Sequence, residues 1–444
     1  MEALARRRRR IEALMTALAV AVTVMGYFCE SIATTGTLPS GLTGFTIAQC
    51  LLPLAAHVVV RRCAPYADPV ILPVATLLTG LGLVLIHRLD HAYAARFHAS
   101  PAAPDQLLWT VLGVASFIAV LVLLKDHRRL QRYIYLTVAL GMVLLMAPAF
   151  FPGDTYGAKR WISLGPVSIQ PGEFVKVMIV VFFAGYLVTH RDALALTGRR
   201  FWGLRLPPGR QFAPIVTVWV LSLLVLVVER DLGTSLIFFG VFVVMLYVAT
   251  ERTSWIVFGL LMAGVGAFAV GSLEPHVRGR IVAWQHPFDI FLPPDQRPPG
   301  LVSDQAAQAL FAMGSGGMTG TGLGQGHPEL IGFAGRSDFI LAAAGEELGL
   351  AGVMAILLLY ALLIERGMRT ALSLRDPFGK LLAVGLSTAL ALQVFVVAGG
   401  VTGLIPLTGK ALPFLAQGGS SLLANWILAA LLIRVSDRAA QSGE

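Results

Sequence analysis

Apolar residues in this chain fall in long blocks separated by short polar segments, and the blocks recur from one end to the other. A helix that crosses a bilayer needs about 20 mostly apolar residues. Twelve stretches qualify: 11–29, 43–60, 69–86, 107–124, 132–151, 171–189, 212–229, 232–249, 254–272, 338–363, 381–399 and 412–433. The pattern predicts an all-α, polytopic membrane protein of about twelve spans. The stretches 212–229 and 232–249 are joined only by Glu229, Arg230 and Asp231, which predicts a tight hairpin. The longest segment without a span, 273–336, holds seven prolines and eleven glycines. Loops of that length are usually functional or disordered. This one contains helix-like apolar runs such as Ala306–Met313 and is expected to fold back on the membrane surface. The division that follows is a five-span N-terminal region, 1–151, and a core, 152–444, that carries the outer loop 273–336. The first apolar run follows Arg6 to Arg10 without a small-residue cleavage site, so it reads as a retained span. The tail after Arg434 is too short to fold alone.

Composition narrows the class. The chain of 444 residues is 56% hydrophobic and only 13% charged. Soluble domains run at about 25% charged, so a water-soluble fold is excluded. The net charge of +9 invites a nucleic-acid reading, but its placement argues otherwise. With the N-terminus inside and the spans alternating, the inner segments hold 23 lysines and arginines and the outer ones 10. That asymmetry is a topology signal, placing both termini in the cytoplasm, and an attraction to anionic lipid heads. Nucleic acid is not an expected partner; membrane lipids are. Cys29, Cys50 and Cys63 have no metal-ligand spacing and read as small hydrophobes, not as a disulfide framework.

Charges inside spans are costly and are functional candidates by default. In Gln170-Pro171-Gly172-Glu173-Phe174-Val175-Lys176 the polar residues recur every third position and share one helical face. Glu173 and Lys176 read either as a structural ion pair or as a polar wall of a substrate cavity. Upstream, Lys159, Arg160 and Trp161 read equally as an interfacial anchor or as a diphosphate site, since lysine and arginine are natural phosphate partners. Asp231, before Leu232-Gly233-Thr234, is suited to cap a helix. The outer loop carries His276, Arg278, Arg280, Trp284, His286, Asp289, Asp295 and Asp304, then Gln305, Gln308 and a glycine-rich run from Gly314 to Gly326. That run lacks GxxxxGK[ST], so a tight turn with close backbone packing is the better reading than a phosphate loop. Arg336 and Asp338 follow, with Asp338 opening a span, and Glu346 and Glu347 lie deeper, at about 1.5 Å per residue. Two adjacent carboxylates there need a cavity, a partner or a proton. Lys410 and Ser420 belong to a Gly- and Pro-rich stretch, 399–421, that reads as a broken, re-entrant outer segment. These clusters converge on the outer side, and by themselves they do not separate an enzyme from a transporter.

The order and spacing of these motifs resemble the SEDS family of RodA, FtsW and SpoVE, from about residue 150 to the end. The resembling residues are Gly157–Trp161, Gln170–Lys176, Asp231–Thr234, Gln305–Gly326, Asp338–Gly349 and Gly399–Ser421. Two spans precede the usual ten, and Arg61–Asp90 resembles a long-form, RodA-like branch. Gly172 stands where serine is usual, and Gln417 where tyrosine is common. The resemblance implies glycosyl transfer from lipid II to a polyprenyl-linked glycan strand at the outer membrane face of a bacterium. It implies Asp289 as the essential acid, with Asp295 in reserve because an Asp-Pro pair is replaced by Asp289-Ile290. Asp304 stands at a usual tyrosine and is given no role. One base suits this reaction, because a diphosphate leaving group needs cations and no second carboxylic acid. Lys159, Arg160, Arg278, Arg280, Arg336 and Lys410 are the outer cations available. Trp161, Gln170, Glu173, Lys176, Asp231, Trp284, Gln305, Gln308, Asp338, Glu346, Glu347 and Ser420 are the further substrate-site candidates. No cofactor is certain; a divalent cation, Mg or Mn, with unknown ligands, is the open addition. The expected partner is a class B penicillin-binding protein, a transpeptidase on a separate chain. The rival readings are a lipid II flippase, weakened by the lack of a visible inverted repeat, and a scaffold without chemistry.

Overall fold

The computed structural model describes residues 2–38, 41–150, 161–164, 167–195, 200–201, 204–205, 220, 231–273 and 275–442. Its helices, in chain order, are α1 (Glu2–Thr35), α2 (Leu42–Cys63), α3 (Ile71–Phe97), α4 (Ala103–Leu123), α5 (Ile134–Met146), α6 (Pro171–Ala195), α7 (Leu232–Thr250), α8 (Ser254–Leu273), α9 (Pro275–Gln285), α10 (Gln305–Gly316), α11 (Ile340–Ser373), α12 (Pro377–Val401) and α13 (Gly419–Ser442). Two short antiparallel hairpins accompany them, Ile162–Leu164 with Val167–Ile169 and Arg200–Phe201 with Leu204–Arg205.

Nine helices among the described residues are long and apolar enough to cross a membrane: α1–α4, α6, α7 and α11–α13. The start signals are local. Pro171 and Pro377 occupy first-turn positions that lack an intrahelical acceptor for their missing N–H. Asp231 and Asp376 cap α7 and α12 by accepting from Thr234 N and Gly379 N. The outward faces are apolar: Leu14, Leu18 and Met25 on α1, and Leu260, Leu261 and Val265 on α8, are all more than half exposed. Such a surface is stable only against hydrocarbon. The polar side chains of the spans point inward, where protein supplies the partners that lipid cannot.

The helices α3, α12 and α13 are the most enclosed, and α1, α2 and α4 lie at the rim. α13 packs along α4, α1 along α3, α11 along α12, and α6, α7 and α12 against one another. The outer loop returns to the bundle through α10, which packs on α11.

Some expectations need correction. The fifth stretch yields only α5, of 13 residues, followed by a 3-10 turn at Ala147–Phe150. At 1.5 Å per residue, α5 is about 20 Å long. The tenth span opens at Ile340, after Asp338, and runs to Ser373. The last span starts at Gly419 rather than 412, because the preceding stretch is irregular, as expected for a broken segment. The tail after Arg434 is the end of α13 and not a separate piece. The expected span 212–229 and its hairpin to 232–249 lie largely outside the described residues. The three cysteines are free thiols.

Candidate functional site

Five separated pieces of sequence meet in one buried polar network near the ends of α6, α7, α12 and α13. Lys176 Nζ donates to Glu173 Oε2 at 3.1 Å, to Gln393 Oε1 at 2.5 Å and to Asn425 Oδ1 at 3.3 Å. Lys410 Nζ reaches Glu173 Oε1 at 2.9 Å and Asp231 Oδ2 at 3.4 Å. Gln170 Nε2 also donates to Asp231 Oδ2, at 3.4 Å, and Gln170 N donates to Ser420 Oγ at 2.9 Å. Gln393 Nε2 reaches back to the carbonyl of Ala411 at 2.9 Å, which holds the 402–418 segment in place. Glu173, Lys176, Asp231 and Lys410 are each at most 3% exposed.

Among the described residues of the network, two cations face two carboxylates. That is the condition under which charges persist out of water. The i, i+3 spacing of Glu173 and Lys176 correctly anticipated their ion pair. Lys410, expected among the outer cations, is instead buried between Glu173 and Asp231. Asp231 both caps α7 and joins the network. Its Oδ1 accepts from Thr234 N (3.0 Å), while its Oδ2 accepts from Thr234 Oγ1 (2.7 Å) and also faces Lys410 and Gln170.

A second cluster braces α3 against α11 and the outer loop. Arg88 Nε donates to Glu347 Oε1 at 2.8 Å, and its NH2 donates to the carbonyl of Gly326 at 2.7 Å. Arg336 pairs with Asp90 at 2.7 Å and passes over the Tyr93 ring. Glu346 Oε1 accepts from His327 N at 2.7 Å. The two adjacent carboxylates therefore have partners, one ionic and one backbone.

The glycine-rich run is a docked turn. Thr321 N and Gly322 N donate to the carbonyls of Glu346 and Glu347, just before α11 breaks at Gly349. Gly349 takes φ +68°, a left-handed conformation that only glycine adopts freely, and any Cβ there would stand 2.2 Å from Gly320 N. The phosphate-loop alternative fails because these N–H groups are spent on protein carbonyls.

The surface of the outer loop forms a third group. Trp284 Nε1 donates to the carbonyl of Gly403 at 2.7 Å, and Arg280 donates to that of Thr408 at 2.6 Å. Both tie α9 to the segment that carries Lys410. Asp289 sits in a 3-10 turn at Pro287–Phe291, with its side chain 37% exposed and His286 Nδ1 at 3.3 Å. Phe288 and Phe291 pack on Phe311 of α10 and are half exposed, an apolar rim beside that carboxylate. Arg278 is exposed. Gln305 and Gln308 open α10, and Gln308 bonds Asp304 at 3.4 Å. Asp338 and Trp161 are half-buried. Lys159 and Arg160 lie outside the described residues.

Sequence reasoning missed Arg88, Asp90, Gln393 and Asn425 as site-framing residues. Each is a polar group inside an apolar stretch, the same signal that singled out Glu173. An apolar cavity of about 430 Å³, lined by Met142, Val143, Met146, Ala147 and Phe150, touches none of these polar clusters.

The arrangement is a buried polar frame inside the bundle, tied through the segment that carries Lys410 to a loop with an accessible carboxylate, arginines and aromatics. Comparison with known proteins agrees. A family model described as "cell cycle protein", FtsW/RodA/SpoVE, matches residues 69–441, beginning after α2 and thus reaching further than the motifs from residue 150 onward. The peptidoglycan glycosyltransferase RodA of Mycobacterium tuberculosis is 45% identical over 433 residues, which cover 97% of this chain and 90% of that one. The crystal structure of the Thermus thermophilus rod shape determining protein RodA matches with a TM-score of 0.57 at 21% identity, over 83% of this chain and 96% of that one. A chain from a peptidoglycan synthase complex that coordinates polymerization and crosslinking matches with a TM-score of 0.55 at 23% identity, over 89% and 98%. These two structures share the fold. With its motifs in order and a family match across most of its length, this multi-pass membrane protein belongs to the FtsW/RodA/SpoVE family.

Proposed function

We propose that this chain is a peptidoglycan glycosyltransferase that polymerises lipid II on the outer face of the bacterial cytoplasmic membrane, in the elongation role of its RodA relatives. The observation that carries the reading is the joining of the dispersed motif residues Gln170, Glu173, Lys176, Asp231, Lys410 and Ser420 into one network beneath the loop that bears Asp289. The relatives' names supply the reaction.

Asp289 takes the proton of the 4-hydroxyl on the incoming lipid II sugar as that oxygen bonds to the anomeric carbon of the strand. The polyprenyl diphosphate departs with the electron pair. One displacement inverts the anomeric configuration. A positioned base contributes about 10²–10⁴ in rate, and its half-exposed position leaves room for a sugar. Arg278 and Arg280 of α9 would offset the diphosphate charge, with Lys159 and Arg160 as further candidates. Trp284, Gln305, Gln308, Arg336, Asp338, Glu346 and Glu347 shape the loop and its footing. Mg or Mn would add positive charge at the diphosphate, where a carboxylate not engaged as the base, such as Asp295, would suit a hard cation. The partner is a class B penicillin-binding protein that crosslinks the strands, as polymerization and crosslinking are coordinated in the related synthase complex.

The test is polymerisation of labelled lipid II by purified protein with its transpeptidase, comparing wild type with Asp289→Ala, with and without a chelator. Strands from wild type only, at equal folding, support the assignment. Strands from both variants move the base to Asp295. No strands from either, with lipid II crossing liposome bilayers, replaces the polymerase by a flippase.

A further inference from the structure

At the outer end of α1 and α3, Glu30, His87 and His91 place one ligand atom each within 4.8 Å of one another. None of the three has a part in the reaction proposed above. Glu30 is fully buried, and among the described residues the side chain that forms an ion pair with it is His87, whose Nδ1 stands 2.9 Å from Oε2. A buried carboxylate whose partners are an imidazole and two hydroxyls at 3.3 Å is weakly compensated for its charge. His87 and His91 are one helical turn apart with rings edge to face at 4.7 Å.

The surroundings are those of a metal's outer shell. The second ring nitrogen of His87 contacts Tyr27 Oη at 3.3 Å, and Ser31 Oγ and Thr34 Oγ1 each approach the Glu30 carboxylate at 3.3 Å. Metal-bound histidines and carboxylates are oriented by such partners. Arg88, Asp90 and Glu347 are the nearby charges, and Arg88 is already held by Glu347.

We propose that Glu30, His87 and His91 bind a first-row divalent cation, Zn²⁺ in the first instance. His87 Nδ1, a His91 nitrogen and a Glu30 oxygen are its ligands, and water fills the fourth position. Two imidazoles and a carboxylate are a borderline donor set that suits zinc over magnesium or calcium. Ligands at about 2.1 Å in a tetrahedron stand about 3.4 Å apart, so the exposed His91 closes inward on binding. The ion would pin α1, which precedes the family match, to α3 in the same turn that carries Arg88 and Asp90. Gly324 of the docked turn packs on this end of α1, where an added Cβ would meet Ala33 and Thr34 at 3.0 Å. The metal therefore clamps the added N-terminal helices to the footing of the outer loop.

The test uses the full, tag-free chain in detergent after chelation and dialysis. Zn²⁺ is titrated against a chromogenic chelator, and Co²⁺ is added to read the visible bands of a tetrahedral site. The expected result is one Zn²⁺ per chain, tetrahedral Co²⁺ bands, and a rise in melting temperature with metal. His91→Ala, at an exposed position, and Glu30→Gln weaken binding at least tenfold and abolish the rise, and His327→Ala does neither. Equal binding and equal melting shifts for wild type and His91→Ala overturn the site, as does wild type that takes up no Zn²⁺.

Discussion

Residue-scale energetics in this protein are set by charges that have left water. Lys176 bonds Glu173, Gln393 and Asn425 at once. Removing one member of a buried pair costs about 3–5 kcal/mol, because the partner's charge stays behind. Lys176→Met is therefore expected to lower the melting temperature in detergent strongly, and Glu173→Gln added to it should recover part of the loss. Equal melting of the single and double variants would show that Glu173 is not strained by the lost cation. Glycines behave by position. At Gly320, φ is +85° and a Cβ would stand 2.2 Å from the Glu347 carbonyl oxygen, whereas at helical Gly314 nothing lies within 4 Å. Gly320→Ala should destabilise by about 1–3 kcal/mol, the range for enforced left-handed strain, or more. Gly314→Ala should stabilise by about 0.5–1 kcal/mol through helix propensity. Chemical or thermal unfolding of the two variants in parallel checks both signs.

At the scale of elements, helix ends decide where the spans begin. Asp376 caps α12 through Gly379 N at 2.9 Å, accepts from or faces His127 Nε2 at 2.9 Å, and lies 3.4 Å from Arg128. Burial alone would raise its pKa. The hydrogen bonds from His127 and Gly379 N and the Arg128 charge outweigh that and hold the carboxyl below its ordinary value. A depressed acid contributes stability above its unfolded pKa of about 3.9. That contribution is lost as pH falls through the folded value. Asp376→Asn keeps a good capping side chain and removes only the charge, so it is expected to cost about 0.3–1 kcal/mol. The carboxylate's share of that difference should hold steady from pH 5 to 8 and shrink below about pH 4. Melting curves of both proteins across that range measure it, and a gap that widens towards acid would contradict the assigned sign.

The whole molecule is an inside-out solution to one solvent problem. Its rim is apolar towards lipid and its polar groups meet at the centre. The charge count places residues 273–336 outside and the end of α13 inside. In a variant with all three cysteines replaced by serine, Asp295→Cys should label with a membrane-impermeant maleimide on intact cells. Arg438→Cys should label only after permeabilisation. Reversed labelling would invert the orientation and with it the side on which Asp289 works.

The order and approximate limits of the nine spans seen among the described residues were legible in the sequence, because a bilayer imposes length and apolarity on each helix separately. Among those residues the predicted total of twelve was not reached, since the fifth stretch gives a helix too short to cross. Legible too were the Glu173–Lys176 pair and the Asp231 cap, which are contacts within one turn. Where Lys410 and Arg336 end up was not legible. Lys410 pairs with Glu173, 237 positions away, and Arg336 pairs with Asp90, 246 positions away, and no local pattern encodes such distances. Gln393 and Asn425 each look like an isolated flaw in an apolar helix until packing aims them at the same ammonium. Local chemistry determined which groups were too costly to leave alone; only the tertiary structure decided which of them would neutralise one another.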